Sequence, residues 1–271
     1  MPTKVYLVGA GPGDPELLTR KAWRVLQSAS VILHDDLVSL EILRALPPTA
    51  QLVNVGKRCG AKGISQAEIN DLMVQLAREG KIVARLKNGD PLLFGRAGEE
   101  IEALRRARIK FEVIPGVTAA LGAAAAAGIS LTDRRHASRV VFVTAHREGG
   151  TGLTNERHVA ADTTYVIYMP GSRYAALAAE LQVAGIGAEI PCVVISCATT
   201  KDEAIVCTTV AHLPECPAAA SPSLIVVGAV AGASTRASAD NEELSSELRE
   251  EILELALQHP FHDFEESGSA E

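Results

Sequence analysis

Along the chain, short runs dense in β-branched and aliphatic residues alternate with amphipathic stretches. The runs are KVYLVG, ASVIL, QLVNV, KIVARLK and FEVI up to residue 114, then RVVFVT, TTYVIY, CVVIS, AIVCTTV and SLIVVG up to residue 228. Bounded by Gly, Pro, Asn and Asp, they read as strands, and their alternation with helical patterns predicts an α/β fold. The clearest helix is SQAEINDLMVQLAREG (65–80), where Ser65 and Glu68 form a capping box and Ile69, Leu72, Met73 and Leu76 share one face. Gly80 is placed to end it. The uncharged stretch VIPGVTAALGAAAAAGISLT (113–132) is long enough to span a membrane, but it is alanine and glycine around an internal Pro-Gly, and reads as a buried helix after a turn. Pro115-Gly116 also interrupts the strand pattern. The expected division is an N-terminal α/β domain over 1–115, a second α/β domain over 116–234, and a tail over 235–271. NEELSSELREEILELALQ in the tail can form an amphipathic helix on Leu244, Leu248, Ile252 and Leu255. No internal repeat is visible.

Composition narrows the class. With 271 residues, 47% hydrophobic and 22% charged, the chain is an ordinary globular protein long enough for two modest domains. Aromatics at 4% leave an aliphatic core and argue against a base-stacking surface for nucleic acid. The net charge of −7 conceals an asymmetry: residues 240–271 hold eleven acids and one Arg, so the remainder, with 25 bases and 22 acids, is at +3. That body suits an anionic ligand but falls short of a nucleic-acid footprint. Met1 to Lys4 lead into a strand without an apolar leader, so a cytoplasmic location is expected. Cys59, Cys192, Cys197, Cys207 and Cys216 include no C-x-x-C pair, and no histidine stands at zinc-site spacing; buried, reduced thiols and no metal are expected.

The stretch VGAGPGDPELLT (8–19) sets the first chemical question. Gly9 and Gly11 match the start of the dinucleotide fingerprint G-x-G-x-x-G, and Asp35 or Asp36 lies about where a ribose-binding acid belongs. Against this, Asp14 occupies the third-glycine position and Pro12 removes an N–H from any phosphate cradle. These residues therefore disfavour the dinucleotide reading, and a tight strand–helix turn with Pro15 at the first helical position stays open. Four polar clusters follow: HDDLVS (34–39), VGKRCG (55–60), RLKNGDPLLFGRAGEE (85–100) and LTDRRHASRVVFVTAH (131–146). Most sit where strands end, the edge at which open α/β sheets bind ligands. Their cations, Lys57, Arg58, Arg85, Lys87, Arg96, Arg134, Arg135, Arg139 and His146, suggest an acidic small molecule. There is no G-x-S-x-G, no H-E-x-x-H and no G-x-x-x-x-G-K-[ST], and Cys59, though flanked by cations, has no base placed beside it by sequence.

In their order, VGAGPGDPELLT, HDDLVS, VGKR, RLKNGDPLLFGRAGEE, IPGVTAALGAAAAAGISLT and YMPGSR resemble the motif series of the tetrapyrrole methylases, in particular the uroporphyrinogen III C-methyltransferases, over residues 4–230. The resemblance implies a homodimer of two α/β domains of the class III methyltransferase type, with S-adenosylmethionine (SAM) in the interdomain cleft and neither nucleic acid nor membrane as partner. Carried over by position, it implies SAM contacts at Pro12, Asn88, Gly89, Asp90, Leu93, Thr118, Ala119, Met169 and Ala198. A substrate pocket is implied at Asp35, Lys57, Arg96, Glu99, Arg134 and His146, with Met169 also facing substrate. The implied reaction is methylation of uroporphyrinogen III at C2 and C7 to precorrin-2. Arg96 with Glu99, or Asp35, is implied as the group assisting loss of the ring proton. A methylase of a later precorrin and a non-catalytic tetrapyrrole or SAM binder are the alternatives; the downstream route, to siroheme, cobalamin or haem d1, stays open. The family's YDRLVS, KGGDP and LTHRDYA read HDDLVS, KNGDP and LTDRRHA here, and Ala198 and Ala204 replace a glycine and a basic residue.

Overall fold

The computed structural model describes residues 4–56, 64–145 and 162–234. Each predicted run forms a strand: β1 (Val5–Gly9), β2 (Val31–His34), β3 (Gln51–Asn54), β4 (Val83–Lys87) and β5 (Phe111–Ile114), then β6 (Arg139–Thr144), β7 (Thr163–Tyr168), β8 (Pro191–Ser196), β9 (Ala204–Thr209) and β10 (Ser223–Val227). Between them lie α1 (Arg20–Ser28), α2 (Leu40–Arg44), α3 (Gln66–Arg78), α4 (Ala97–Arg106), α5 (Ala119–Ala127) and α6 (Tyr174–Val183). The capping box forms at α3, with Ser65 Oγ accepting from Glu68 N and Glu68 Oε2 accepting from Ser65 N, and Gly80 takes a left-handed φ of 84° just past its end. The predicted tail helix lies outside the described residues.

The first five strands make an all-parallel sheet in the order β3-β2-β4-β1-β5, and the last five a second sheet in the order β6-β7-β10-β8-β9. In the second, β6 runs parallel to β7 and the remaining pairs are antiparallel. The first order places β4 between β2 and β1, unlike the 3-2-1-4-5-6 order of dinucleotide-binding folds. A parallel sheet must be covered on both faces. One face of the first sheet packs Ala84 and Leu86 with α1 and α2; the other packs Val83 with Ile69, Met73 and Leu104 of α3 and α4. Helix α5 belongs to the second sheet, its Ala120, Ala123, Ala124 and Ala127 packing with Val193, Ile195, Leu224 and Val226.

Pairing of Gly9 with Lys87, Val8 with Ile114 and His34 with Leu86 aligns the C-terminal ends of β1, β4, β5 and β2. The loops leaving those ends therefore lie side by side. Two expectations need adjustment. Of the four described cysteines, none in a disulfide, only Cys192 is buried, and burial pushes its thiol pKa up; the other three are half-buried. Pro15 opens only a short 3-10 turn (Pro15–Leu17), and α1 begins at Arg20 under a Thr19 cap. No helix among the described residues is long and apolar enough to cross a membrane.

Candidate active site at the parallel-strand ends

Three loops meet here, backbone against backbone. Gly11 and Gly89 exchange hydrogen bonds, Gly89 N donating to Gly11 O at 2.8 Å and Gly11 N to Gly89 O at 3.2 Å. A Cβ on Gly9 would lie 2.5 Å from Gly116 N and 2.8 Å from Gly89 O, so only glycine admits this approach. Asp90 ties the loops together: one carboxylate oxygen accepts from Leu92 N at 2.8 Å, the other from Gly116 N at 3.0 Å. Asn88, its amide assigned so that nitrogen faces two carbonyls, donates to Leu37 and Gly11. Asp14, in the third-glycine position, accepts from Glu16 N at 2.8 Å and caps the 3-10 turn. No long helix starts at this loop to present an anion site, which removes the dinucleotide reading.

The second half of the chain closes over the same loops. Asp14 N donates to Thr199 Oγ1 at 3.1 Å, and a Cβ on Gly13 would meet Ala198 O at 3.3 Å. Pro12 lies against α5, where a Cβ on Gly122 would stand 2.6 Å from the proline ring. Tyr168, at the end of β7, lies 2.6 Å through its hydroxyl from Thr118 Oγ1 and accepts from Ala120 N at 3.1 Å, capping a helix whose own N-cap side chain makes no capping bond. Its ring packs against Phe94 with centroids 4.9 Å apart. Phe94, Arg96, Met169, Cys197 and Thr199 all carry positive φ, so five of the six non-glycine residues with that geometry among those described lie in these loops; strain of that kind concentrates at functional sites. Tyr168→Phe is expected to destabilise the protein by ~1–2 kcal/mol, because a helix N–H loses its partner, read as a lower denaturant midpoint.

The implied cofactor residues thus come together. Pro12, Asn88, Gly89, Asp90, Thr118 and Ala119 belong to the touching loops, and Leu93 packs on the core that includes Ala198. Met169 follows Tyr168 with its side chain exposed. The implied substrate residues divide. Arg96 and Glu99 form an exposed bidentate pair, Nε to Oε1 at 2.7 Å and Nη2 to Oε2 at 2.8 Å, which draws the Glu99 pKa down. Asp35 instead pairs with Arg85, and Arg85 with Glu100. Arg134 is exposed in the turn closed by the Asp133–Ala137 bridge, while Arg135 is held by Asp133. Lys57 and His146 lie outside the described residues, as does Cys59. Sequence reading missed Glu100, Tyr168 and Thr199; charges at alternate positions of a central strand, Arg85 and Lys87, were the available signal for Glu100.

The arrangement presents small side chains, open backbone and one ordered carboxylate, with no cluster of metal-ligating residues among those described. Such a wall can orient a flexible polar ligand and keep water from it, and needs no nucleophile of its own. Residues 4–214 match the model of the Tetrapyrrole (Corrin/Porphyrin) Methylases. A protein of Methanosarcina barkeri named S-adenosyl-L-methionine-dependent uroporphyrinogen III methyltransferase is 44% identical, over 84% of this chain and 91% of its own length. The siroheme synthase of Photorhabdus laumondii is 45% identical over 84% of this chain but 49% of its own length; the chain spans about half the length of such relatives. Among solved structures, uroporphyrin-III C-methyl transferase from Thermus thermophilus complexed with S-adenyl homocysteine superposes with a TM-score of 0.72 at 38% identity, covering 84% of this chain and 92% of that one.

Proposed function

Because this chain belongs to the tetrapyrrole methylase family, we propose that it is a SAM-dependent methyltransferase that converts uroporphyrinogen III to precorrin-2 by methylation at C2 and C7. The observation that carries the reading is the junction of the loops at 9–14, 88–93, 115–119 and 197–200, which fits SAM better than a nucleotide phosphate. It offers prolyl, glycyl and alanyl surface and the Asp90 carboxylate; the glycine-rich loop leads only into a 3-10 turn capped by Asp14, and the start of α5 is already capped by the Tyr168 hydroxyl. SAM would supply an electrophilic methyl group on a sulfonium. Pro12, Asn88, Gly89, Asp90, Leu93, Thr118, Ala119, Met169 and Ala198 would hold it, with Asp90 acting through the loop geometry it imposes as well as through its charge.

On the macrocycle side, Arg134, Lys57 and His146 would neutralise acetate and propionate groups and set the ring's register. Met169 would line both ligands. Asp35 would accept hydrogen bonds from pyrrole N–H groups. Each pyrrole carbon is enamine-like, so orientation and exclusion of water account for most of the catalysis required. The exposed Arg96–Glu99 pair is a candidate for assisting departure of the ring proton. The meeting of α5 with the second sheet supports division of the body into domains over 1–115 and 116–234, the cleft lying between them. A homodimer in the cytoplasm, without membrane or nucleic-acid partners, completes the proposal; its product would serve siroheme or cobalamin synthesis.

The test is anaerobic incubation with SAM and enzymatically generated uroporphyrinogen III, followed by mass spectrometry of the extracted tetrapyrrole. Gain of two methyl groups is expected. Methylation of a later precorrin alone would reassign the substrate, and binding of both ligands without turnover would make the chain a binding protein.

A further inference from the structure

The centre of the first sheet contains a charge cluster that packing does not explain. Arg85 and Lys87, two apart on β4, are 2% and 3% exposed, and Glu100 of α4 is fully buried. A central parallel strand is ordinarily apolar, and replacing buried ion pairs by packed hydrophobic residues is often neutral or stabilising, so stability alone gives no reason for these charges. Every nitrogen of the Arg85 guanidinium is used. Nε donates to Glu100 Oε1 at 3.0 Å, Nη1 to the carbonyls of Leu33 at 3.4 Å and Leu86 at 3.2 Å, and Nη2 to Asp35 Oδ1. Lys87 Nζ joins the same Glu100 oxygen at 3.0 Å, and the other Glu100 oxygen has no partner among the described residues.

The cluster has one open end. The side chains of Arg85, Lys87 and Glu100 are 3%, 4% and 0% exposed, whereas that of Asp35 is 28% exposed and leaves β2 on the ligand edge. With three of its contacts anchored in the sheet and α4, the guanidinium has a fixed plane, and the carboxylate that meets it is fixed in turn. We propose that Arg85, anchored by Glu100, whose carboxylate Lys87 also holds, is a positioning residue that keeps the Asp35 carboxylate toward the macrocycle. The inference rests on the methyltransferase reading and adds to it three residues that touch neither SAM nor substrate.

The experiment is a double-mutant cycle on Asp35→Ala and Arg85→Lys, with kcat and KM for uroporphyrinogen III, SAM affinity by calorimetry, and thermal melting of every variant. Arg85→Lys keeps a cation but cannot span Glu100, two carbonyls and Asp35 together. It is expected to lower kcat by about tenfold or more while SAM affinity stays within about twofold. In the Asp35→Ala background it is expected to have no further effect, since groups acting as a unit are non-additive. Should Arg85→Lys fail to fold, the isosteric Glu100→Gln takes its place in the same cycle. Full kcat in Arg85→Lys, or a double variant reduced by the product of the two single effects, would overturn the proposal. Wild-type protein that never methylates the substrate would sink the parent reading instead, so the two failures are distinguishable.

Discussion

Gly116→Ala is expected to destabilise the protein by ~2–3 kcal/mol and to abolish measurable SAM binding. The added methyl would face the Gly89 carbonyl oxygen and stand 2.9 Å from Gly9 Cα and 3.0 Å from Gly9 C. All three obstacles are backbone, so no side chain can turn aside to relieve the clash. Moving the 115–118 segment instead would break the bond from Gly116 N to Asp90 and separate the loop that carries Thr118 and Ala119 from the one that carries Gly89. Gly98→Ala in α4 is the control: a Cβ there meets nothing within 4 Å, and alanine favours the helix, so equal or slightly higher stability is expected. Urea denaturation and SAM calorimetry read both variants. Wild-type SAM affinity in Gly116→Ala would remove this junction from the cofactor site.

Arg134→Ala is expected to weaken tetrapyrrole binding by roughly ten- to hundredfold, corresponding to loss of one charged hydrogen bond, about 1.5–3 kcal/mol, and to leave SAM affinity almost unchanged. Its neighbour is the instructive contrast. Arg135 is engaged by Asp133 through its backbone N at 2.8 Å, Nε at 3.1 Å and Nη2 at 3.0 Å, and that pairing holds the Asp133 carboxyl well below the usual carboxylate range. Arg134 has no side-chain partner among the described residues and is exposed, so its guanidinium is available to a carboxylate. Arg135→Ala should therefore change tetrapyrrole affinity far less. Calorimetry with both ligands separates the cases; equal loss of SAM and tetrapyrrole affinity in Arg134→Ala would count against a substrate role.

The elements were legible because each depends on near neighbours. All ten apolar runs became strands, and Ser65 with Glu68 started a helix as their spacing predicts, since a capping box is closed within four residues. The small-residue loops could be read in the same way: VGAGPGD, KNGDP and IPGVT mark turns whatever they contact. The ambiguity over VGAGPGDPELLT shows the limit. Local pattern left a phosphate loop and a plain turn both open, and only the strand order, with β4 inserted beside β1, and the use of Asp14 as a cap for a short 3-10 turn removed the first.

The roles of the polar residues were harder to read, because their partners are distant in the chain. Arg85 counted in sequence as one cation among nine, and became the bridge between Asp35, 50 residues before it, and Glu100, 15 after. Tyr168 read as the end of a strand, and caps a helix that begins 49 residues earlier. Asp90 read as a ligand contact, and spends both oxygens on backbone N–H groups as well.

By itself, then, the sequence determined the strands, the helices, the glycine turns and the family pattern, because hydrophobic periodicity and capping act over a few residues. Which charges face one another, which carboxylate is bound and which arginine remains available were decided only by the tertiary structure. Parallel pairing aligns the ends of β1, β2, β4 and β5, and the buried ion pairs form between the charges that this alignment and the packing of α4 bring within about 3 Å.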